Sequence, residues 1–357
     1  MTEAIAGREV LSVEEIAQRL KTKLKGIVPE FEIDLKAELA FKINRLKVEQ
    51  NAVILGHNYM EPALYHSVPD YVGDSLYLSQ ISTETGADTI VFCGVQFMAE
   101  SAKILNPNKR VLIPSDKAGC SLAASITAAD VRKLKEIYPG APVVSYVNTY
   151  AEVKAESDYC CTSSNGAAVV RHLLAEGFEQ IIFIPDEYLA RNTAHDLGVK
   201  FVLPPLVHGV QYEIPDGPCL IGWRARCEVH ELFTPDDIRT VRKQFPDVAV
   251  LAHPECSPEV VAESDFSGST SQLIDYVRDV DAPRFLLLTE CSMGDNVAAE
   301  NPDKELLRLC SFRCPHMNQI TMEDTLHALE QQRYEITLPP DIIERARTPI
   351  DRMLAIR

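Results

Sequence analysis

No apolar run in the 357 residues approaches the roughly 18–20 positions that a membrane-crossing helix needs. Basic residues are in deficit: 35 Lys plus Arg stand against 52 Asp plus Glu, a formal charge of −17. A general binder of nucleic acid or of an anionic membrane needs a basic face, so this balance argues against both. The opening residues, MTEAIAGREV, lack the basic-then-apolar pattern of a signal peptide, and the chain is expected to be cytoplasmic. No low-complexity linker divides it. At 46% hydrophobic and 24% charged, the composition is that of a globular protein rather than a disordered one. The length suits two or three domains, each able to bury a core.

Cysteine, by contrast, is plentiful, with ten in the chain. A reducing compartment argues against a disulfide framework, and a chain of this length does not need one. The cysteines therefore read as buried spectators, metal ligands or nucleophiles.

The most informative feature is a threefold repeat. Three apolar, β-branched runs end in polar clusters: Val53 to Tyr59 (VILGHNY), Val143 to Thr149 (VVSYVNT) and Val248 to Glu255 (VAVLAHPE). With anchors at His57, Tyr146 and His253, a hydroxyl residue follows 18, 17 and 17 positions later, at Ser75, Ser163 and Thr270. A second apolar run comes next, with Phe92, Phe183 and Leu288 as comparable positions. A cysteine then closes each copy: Cys120, Cys227 and Cys314. Seven residues beyond each cysteine, Thr127-x-x-Asp130, Thr234-x-x-Asp237 and Thr321-x-x-Asp324 carry the signature of a helix start.

Strands alternating with helices predict an α/β protein: three homologous α/β domains with parallel sheets, arranged with pseudo-threefold symmetry around a central site. The expected units are 1–126, 127–233 and 234–330, with the tail 331–357 packing back on the first. The first unit gains N-terminal helices. Ser12 to Glu15 is a capping box; Val13, Ile16, Ala17, Leu20 and Leu24 share one face, and Leu35, Leu39, Ile43 and Leu46 repeat the pattern.

In open parallel sheets, ligands gather beyond the carboxyl ends of the strands. That rule collects His57, Asn58 and Tyr59, then Tyr146 and Asn148, then His253 and Glu255. Ser75, Ser163 and Thr270 read as helix-start residues, where free N–H groups and the helix dipole favour anions; the plainer reading is a simple N-cap. One cysteine per unit implies three thiolates near one axis. Three sulfur ligands suit either a zinc site completed by a fourth ligand or a 4Fe-4S cluster with one open iron. Cys93, Cys160, Cys161, Cys219 and Cys291 read as small buried hydrophobes. Cys256 has no equivalent in the other copies, and Cys310 forms no compact motif with Cys314. His66, His172, His195, His208, His316 and His327 read as structural. His230, three residues from Cys227, joins the site.

With these residues in view, the sequence resembles the quinolinate synthases, the A proteins of bacterial NAD biosynthesis. The resemblance runs from Val53 to His327. It rests on GHNY, VGDS, FCGVQFMAESAKILNP, AGCSLA, SYVNTYAEVKAESD, TSSN, CEVHE, LAHPEC, GSTSQ and CPHMNQIT. It implies an enzyme that condenses iminoaspartate with dihydroxyacetone phosphate to quinolinate, releasing phosphate and water. It also implies a 4Fe-4S cluster held by Cys120, Cys227 and Cys314, whose open iron is a Lewis acid for dehydration. The motif matches make His57, Ser75, Tyr146, Asn148, Ser163, His253, Glu255 and Thr270 substrate contacts. Glu255 is the candidate base, with Tyr59, Tyr146 and His230 moving or positioning protons. The unstable imine implies supply by an aspartate-oxidising enzyme. One departure is Cys310-Ser-Phe-Arg-Cys314, where some family members carry a denser CxxCxxC. Three rival classes are an Fe–S sensor, which would need a DNA-binding element, a zinc hydrolase, and a structural metal site under a phosphate- or sugar-binding module.

Overall fold

The structure, a computed structural model, describes residues 10–204 and 216–356. The signal-peptide reading of the first residues falls mostly outside this range, as does His208. The first sheet contains β1 (Ala52–His57), β2 (Tyr71–Gly73), β3 (Thr89–Cys93) and β4 (Arg110–Leu112), ordered β2-β1-β3-β4. The second contains β5 (Val143–Tyr146), β6 (Tyr159–Cys161), β7 (Gln180–Ile184), β8 (Lys200–Val202) and β9 (Cys219–Ile221), ordered β6-β5-β7-β9-β8. The third contains β10 (Ala249–Ala252), β11 (Phe266–Ser267), β12 (Arg284–Leu288) and β13 (Glu305–Arg308), ordered β11-β10-β12-β13. Every pairing between these strands is parallel. The central strands are almost wholly buried, because helices cover both faces of a parallel sheet. That burial is why they read as continuous apolar runs.

Strand register carries the repeat into space. Leu55 pairs with Phe92, Val144 with Phe183 and Leu251 with Leu287, each two residues before an anchor. The third equivalent is thus Leu287 rather than Leu288. The anchors align likewise with their hydroxyls: His57 pairs with Gly73 and Tyr146 with Cys161, each two residues short of Ser75 and Ser163.

A further repeated device is invisible in any one copy. Asp70, Asp158 and Asp265 each precede the short edge strand. Each carboxylate accepts from the central strand, at Ile54 N (2.8 Å), Val143 N (2.8 Å) and Val250 N (2.7 Å). A cation from the preceding helix meets each one: Lys47 at 3.0 Å, Lys135 at 3.7 Å and Arg242 at 2.9 Å. The pin holds helix, central strand and edge strand together, satisfying a strand N–H that the ladder leaves free.

The helix starts match their signatures. Thr127 and Thr234 form reciprocal capping boxes with Asp130 and Asp237, and Thr321 accepts from Asp324 N at 3.0 Å. Ser12 caps Val13–Lys23 in the same way.

Helix Glu30–Glu49 differs from expectation. It buries Ile33, Ala37, Ala40 and Ile43, while Leu35 is 63% exposed. Helix Val13–Lys23 packs on one side of it and helix Met322–Gln331 on another, which turns the apolar face away from Leu35.

The tail reaches further than the first unit. In helix Pro340–Ala355, Arg347 Nη1 donates to Leu105 O at 3.0 Å. The same helix meets the second sheet's surroundings: Arg345 pairs with Glu156 at 2.6 Å, and Asn165 Nδ2 donates to Met353 O at 3.1 Å. One apolar cluster accordingly runs from Ile54 and Phe92 through Val144 and Phe183 to Ile350 and Met353.

Contrary to the expectation of unpaired cysteines, a disulfide joins Cys291 to Cys310. The adjacency of β12 and β13 brings the two together across 19 residues. No helix among the described residues is long and apolar enough to cross a membrane.

Candidate active site

The three sheets close a ring through side-chain ties across each junction. Between the first and third, Asn58 Nδ2 donates to Thr270 Oγ1 at 2.9 Å, and Asn296 Nδ2 donates to Asn58 O (3.1 Å) and Met60 O (2.9 Å). Between the second and third, Asn192 Nδ2 donates to Pro254 O (2.8 Å) and Cys256 O (3.0 Å). Between the first and second, Glu100 Oε2 accepts from Ala151 N at 2.8 Å. These ties leave a cavity of about 740 Å³, part of it open to solvent, beyond the carboxyl ends of the central strands.

Of the residues singled out from the sequence, all but Asn58 line this cavity; Asn58 is buried behind the wall, where it holds Thr270. His57, Tyr59 and Ser75 come from the first unit, Tyr146, Asn148 and Ser163 from the second, and His253, Glu255 and Thr270 from the third. His230 and the three cysteines, Cys120, Cys227 and Cys314, complete the wall.

The two anchor histidines share one geometry. Tyr59 N donates to His57 Nδ1 at 3.2 Å, and Glu255 N donates to His253 Nδ1 at 3.4 Å. Each ring therefore accepts at Nδ1 and keeps its proton on Nε2. Burial disfavours the charged ring and lowers His57 to about 4 and His253 to about 3, against the pull of Glu255. Both are neutral N–H donors at neutral pH. A stability prediction follows with a definite sign. Between about pH 6.5 and pH 4 the unfolded chain takes up protons that the folded chain refuses, so stability falls as pH falls. The slope is up to about 1.4 kcal/mol per histidine for each pH unit. Denaturant melts at pH 7 and pH 5 measure it in Glu290→Gln, which removes the opposing contribution of a carboxyl that burial raises to about 7; equal stabilities at the two pH values in that variant would mean that the buried rings take up protons as readily as the unfolded chain does.

Glu255 is the hub. Its Oε2 lies 2.7 Å from His230 Nδ1, and Asn148 Nδ2 donates to its Oε1 at 3.3 Å. The Tyr146 hydroxyl also faces it. Burial would raise this carboxyl, but the His230 charge and hydrogen bond, then His253 and Tyr146, outweigh it and hold Glu255 at about 2. Burial and the Glu255 charge keep the Tyr59 and Tyr146 hydroxyls protonated, well above the ordinary phenol range.

The cysteines separate into two groups. Cys93, Cys160, Cys161, Cys219 and Cys256 are buried in the sheets and their packing. Cys120, Cys227 and Cys314 are partly exposed at the cavity wall, and Cys120 is near enough to feel charge on both others. Each precedes a short helical turn whose N–H groups point back at the sulfur, from Leu122 and Ala123, from Val229 and His230, and from His316 and Met317. Burial pushes Cys120 up to about 12 and Cys314 up to about 11. Among the described residues no Lys or Arg lines the cavity to balance thiolates. Three convergent sulfurs with N–H support and no nearby side-chain cation of fixed charge are a donor set suited to a metal centre.

The three hydroxyls are not N-caps. Asp74 and Ser269 cap the helices that Ser75 and Thr270 open, leaving both hydroxyls for the cavity. Ser163 sits in a turn ahead of the cap residue Asn165.

Other lining residues were not evident in the sequence. His316, expected to be structural, faces the cavity with Nε2 3.1 Å from Glu228. Glu290 also lines it; burial pushes its carboxyl up to about 7, although Ser292 N donates to it at 2.7 Å. Glu290 stands two residues past β12, where Asp186 stands past β7, and each caps the following helix. That shared position was a usable signal.

Residues 41–355 match the family described as quinolinate synthetase A protein. The chain is similar to quinolinate synthase 2 of Mesorhizobium japonicum, with 50% identity over 345 residues covering 97% of this chain and 99% of that protein. It is 49% identical over 345 residues to the quinolinate synthase of Agrobacterium fabrum, covering 95% of this chain and 92% of that protein. With the quinolinate synthase of Xylella fastidiosa it shares 49% identity over 327 residues, covering 92% of this chain and 88% of that protein. With its repeat, its cavity and these relatives in agreement, the chain belongs to the quinolinate synthetase A protein family.

Proposed function

We propose that the chain is a quinolinate synthase that condenses iminoaspartate with dihydroxyacetone phosphate, releasing phosphate and water. The observation that carries this reading is the meeting of three cysteines, one per repeat, with the Glu255–His230 pair in one cavity. Cys120, Cys227 and Cys314 would hold a 4Fe-4S cluster, whose open iron supplies Lewis acidity toward the hydroxyl lost in dehydration.

The protein's own groups account for the rest. Both substrates are anionic, and the cavity offers neutral donors rather than cations: His57 and His253 at Nε2, and the hydroxyls of Ser75, Ser163 and Thr270. Two of those hydroxyls open helices, where backbone N–H groups and the dipole add to anion binding. Asn148 and Tyr146 fix the Glu255 carboxylate. A carboxylate held at about 2 is a weak base by itself; the working base is the Glu255–His230 pair, which shares the proton across 2.7 Å. Tyr59 and Tyr146, kept protonated, donate to developing negative charge. We read the enzyme as cytoplasmic, with its unstable imine supplied by an aspartate-oxidising enzyme.

One observation favours a second metal reading. Cys227, His230 and Glu255 offer ligand atoms within 4.8 Å of one another, a set that zinc accepts. It leaves Cys120 and Cys314 without a role, which is why the cluster is preferred.

The test is anaerobic purification, metal and sulfide analysis, and incubation with dihydroxyacetone phosphate and iminoaspartate generated in situ. Quinolinate formation with about four iron and four sulfide per chain is expected. Zinc without sulfide, and no quinolinate, would overturn the proposal in favour of the zinc site.

A further inference from the structure

Unlike its neighbours His57 and Tyr59, Asn58 does not line the cavity, and it is 2% exposed. Its polar groups are all engaged. The backbone N–H donates to Gly73 O at 3.1 Å, and the carbonyl accepts from Asn296 Nδ2 at 3.1 Å. In the side chain, Oδ1 accepts from the Tyr65 hydroxyl at 3.5 Å and Nδ2 donates to Thr270 Oγ1 at 2.9 Å. Gly73 and Tyr65 belong to the first unit, Asn296 and Thr270 to the third. The residue is thus held from both units, and its amide crosses the junction to a hydroxyl that does line the cavity.

Hydrogen-bond chemistry gives this contact a consequence at the cavity. An amide has a donating end and an accepting end, and the Tyr65 hydroxyl at Oδ1 leaves the donating end for Thr270. A threonine hydroxyl has one proton and two lone pairs. Accepting from Asn58 uses a lone pair of Thr270 Oγ1 and leaves its proton uncommitted. Ser269 rather than Thr270 caps helix Thr270–Asp279, so the helix start makes no claim on that oxygen. Among the described residues, Asn58 is the hydrogen-bond partner of the Thr270 hydroxyl. The proton is left for an acceptor in the cavity, and at a helix start the favoured acceptor is an anionic oxygen.

We propose that Asn58 is a positioning residue: it fixes the Thr270 hydroxyl as a donor toward a carboxylate of the bound substrate. This rests on the proposed synthase activity, in which iminoaspartate and quinolinate are both dicarboxylates. A bland alternative is that Asn58 only fastens the first unit to the third. Asn296 keeps that tie through the backbone carbonyls of residues 58 and 60 whatever side chain stands at position 58, so the side chain can be tested by itself.

The experiment uses the metal-loaded enzyme and titrates it with quinolinate by calorimetry, a readout free of turnover. Asn58→Leu keeps the bulk of the side chain without its donor. It is expected to weaken quinolinate binding about tenfold and to raise the KM for iminoaspartate by a similar factor, with kcat within about threefold of wild type, the pattern of lost uniform binding. In a Thr270→Val background the same change is expected to alter affinity less than about twofold, since no hydroxyl remains to be oriented. Asn58→Ala serves the same cycle where the leucine variant does not fold. Wild-type protein that binds quinolinate but makes none defeats the activity reading, and the binding cycle then decides the positioning claim alone. Undiminished affinity in Asn58→Leu, an equal loss in both backgrounds, a loss carried by kcat instead of KM, or wild-type protein that does not bind quinolinate would each overturn the proposal.

Discussion

Glu255→Gln is expected to keep its metal and lose about 1,000-fold in kcat, the scale of a lost general base. Glutamine matches the carboxylate in shape, and Asn148 can still bond its oxygen. It cannot hold the charge that pairs with His230 at 2.7 Å. It also presents an N–H₂ group where His230 or Tyr146 expects an acceptor, leaving one of them unpaired in a buried site. The loss should fall on kcat more than on KM, because the hydroxyls and anchor histidines proposed to hold the substrate anions are untouched. Steady-state kinetics beside an iron and sulfide assay decide it. Full turnover would remove Glu255 from the base role, whereas loss of metal along with turnover would favour the Cys227–His230–Glu255 metal site.

Serine in place of Cys120, Cys227 or Cys314 is expected to cost the protein most of its iron and sulfide and all measurable synthase activity. The three sulfurs stand at the ends of three different units, so no neighbouring thiol can replace a lost one. The remaining cysteines are buried in the sheets or, for Cys291 and Cys310, tied to each other. The Oγ of serine is a poor substitute for a thiolate toward iron. Cys219→Ala, a change in a fully buried cysteine of β9, is the control and should retain the metal. The absorption of the brown anaerobic protein and its iron content report the result. Retention of a full cluster by any one of the three serine variants would exclude that residue as a ligand.

The disulfide bears on the same wall of the cavity. Cys310 lies four residues before Cys314, and Arg313 between them contacts Cys291 Sγ at 3.8 Å and Ser292 Oγ at 3.5 Å. The third cavity cysteine is therefore the one whose approach segment is tied to the helix beginning at Cys291.

Much of this protein was legible in the linear chain, for one physical reason: it is written three times. A single His at the end of an apolar run says little, but His57, Tyr146 and His253 at matched positions locate three strand ends. The matched cysteines mark three points on the wall of one cavity, and the Thr-x-x-Asp boxes mark three helix starts. Local chemistry fixes such features, since caps, strand burial and spacing depend on residues near in sequence. Tertiary structure alone decided what depends on distant segments. The partner of each hydroxyl is one case: Asp74 and Ser269 took the caps and freed Ser75 and Thr270 for the cavity. The face that helix Glu30–Glu49 buries was set by two neighbouring helices, which left Leu35 outside. The Asp70, Asp158 and Asp265 pins need a helix and two strands to meet. Cys291 meets Cys310 only because β12 and β13 are adjacent. Glu290 and His316 reach the cavity through ring closure among three sheets. Sequence spacing determines which residues stand at the strand ends; only the closed ring determines which of their side chains touch.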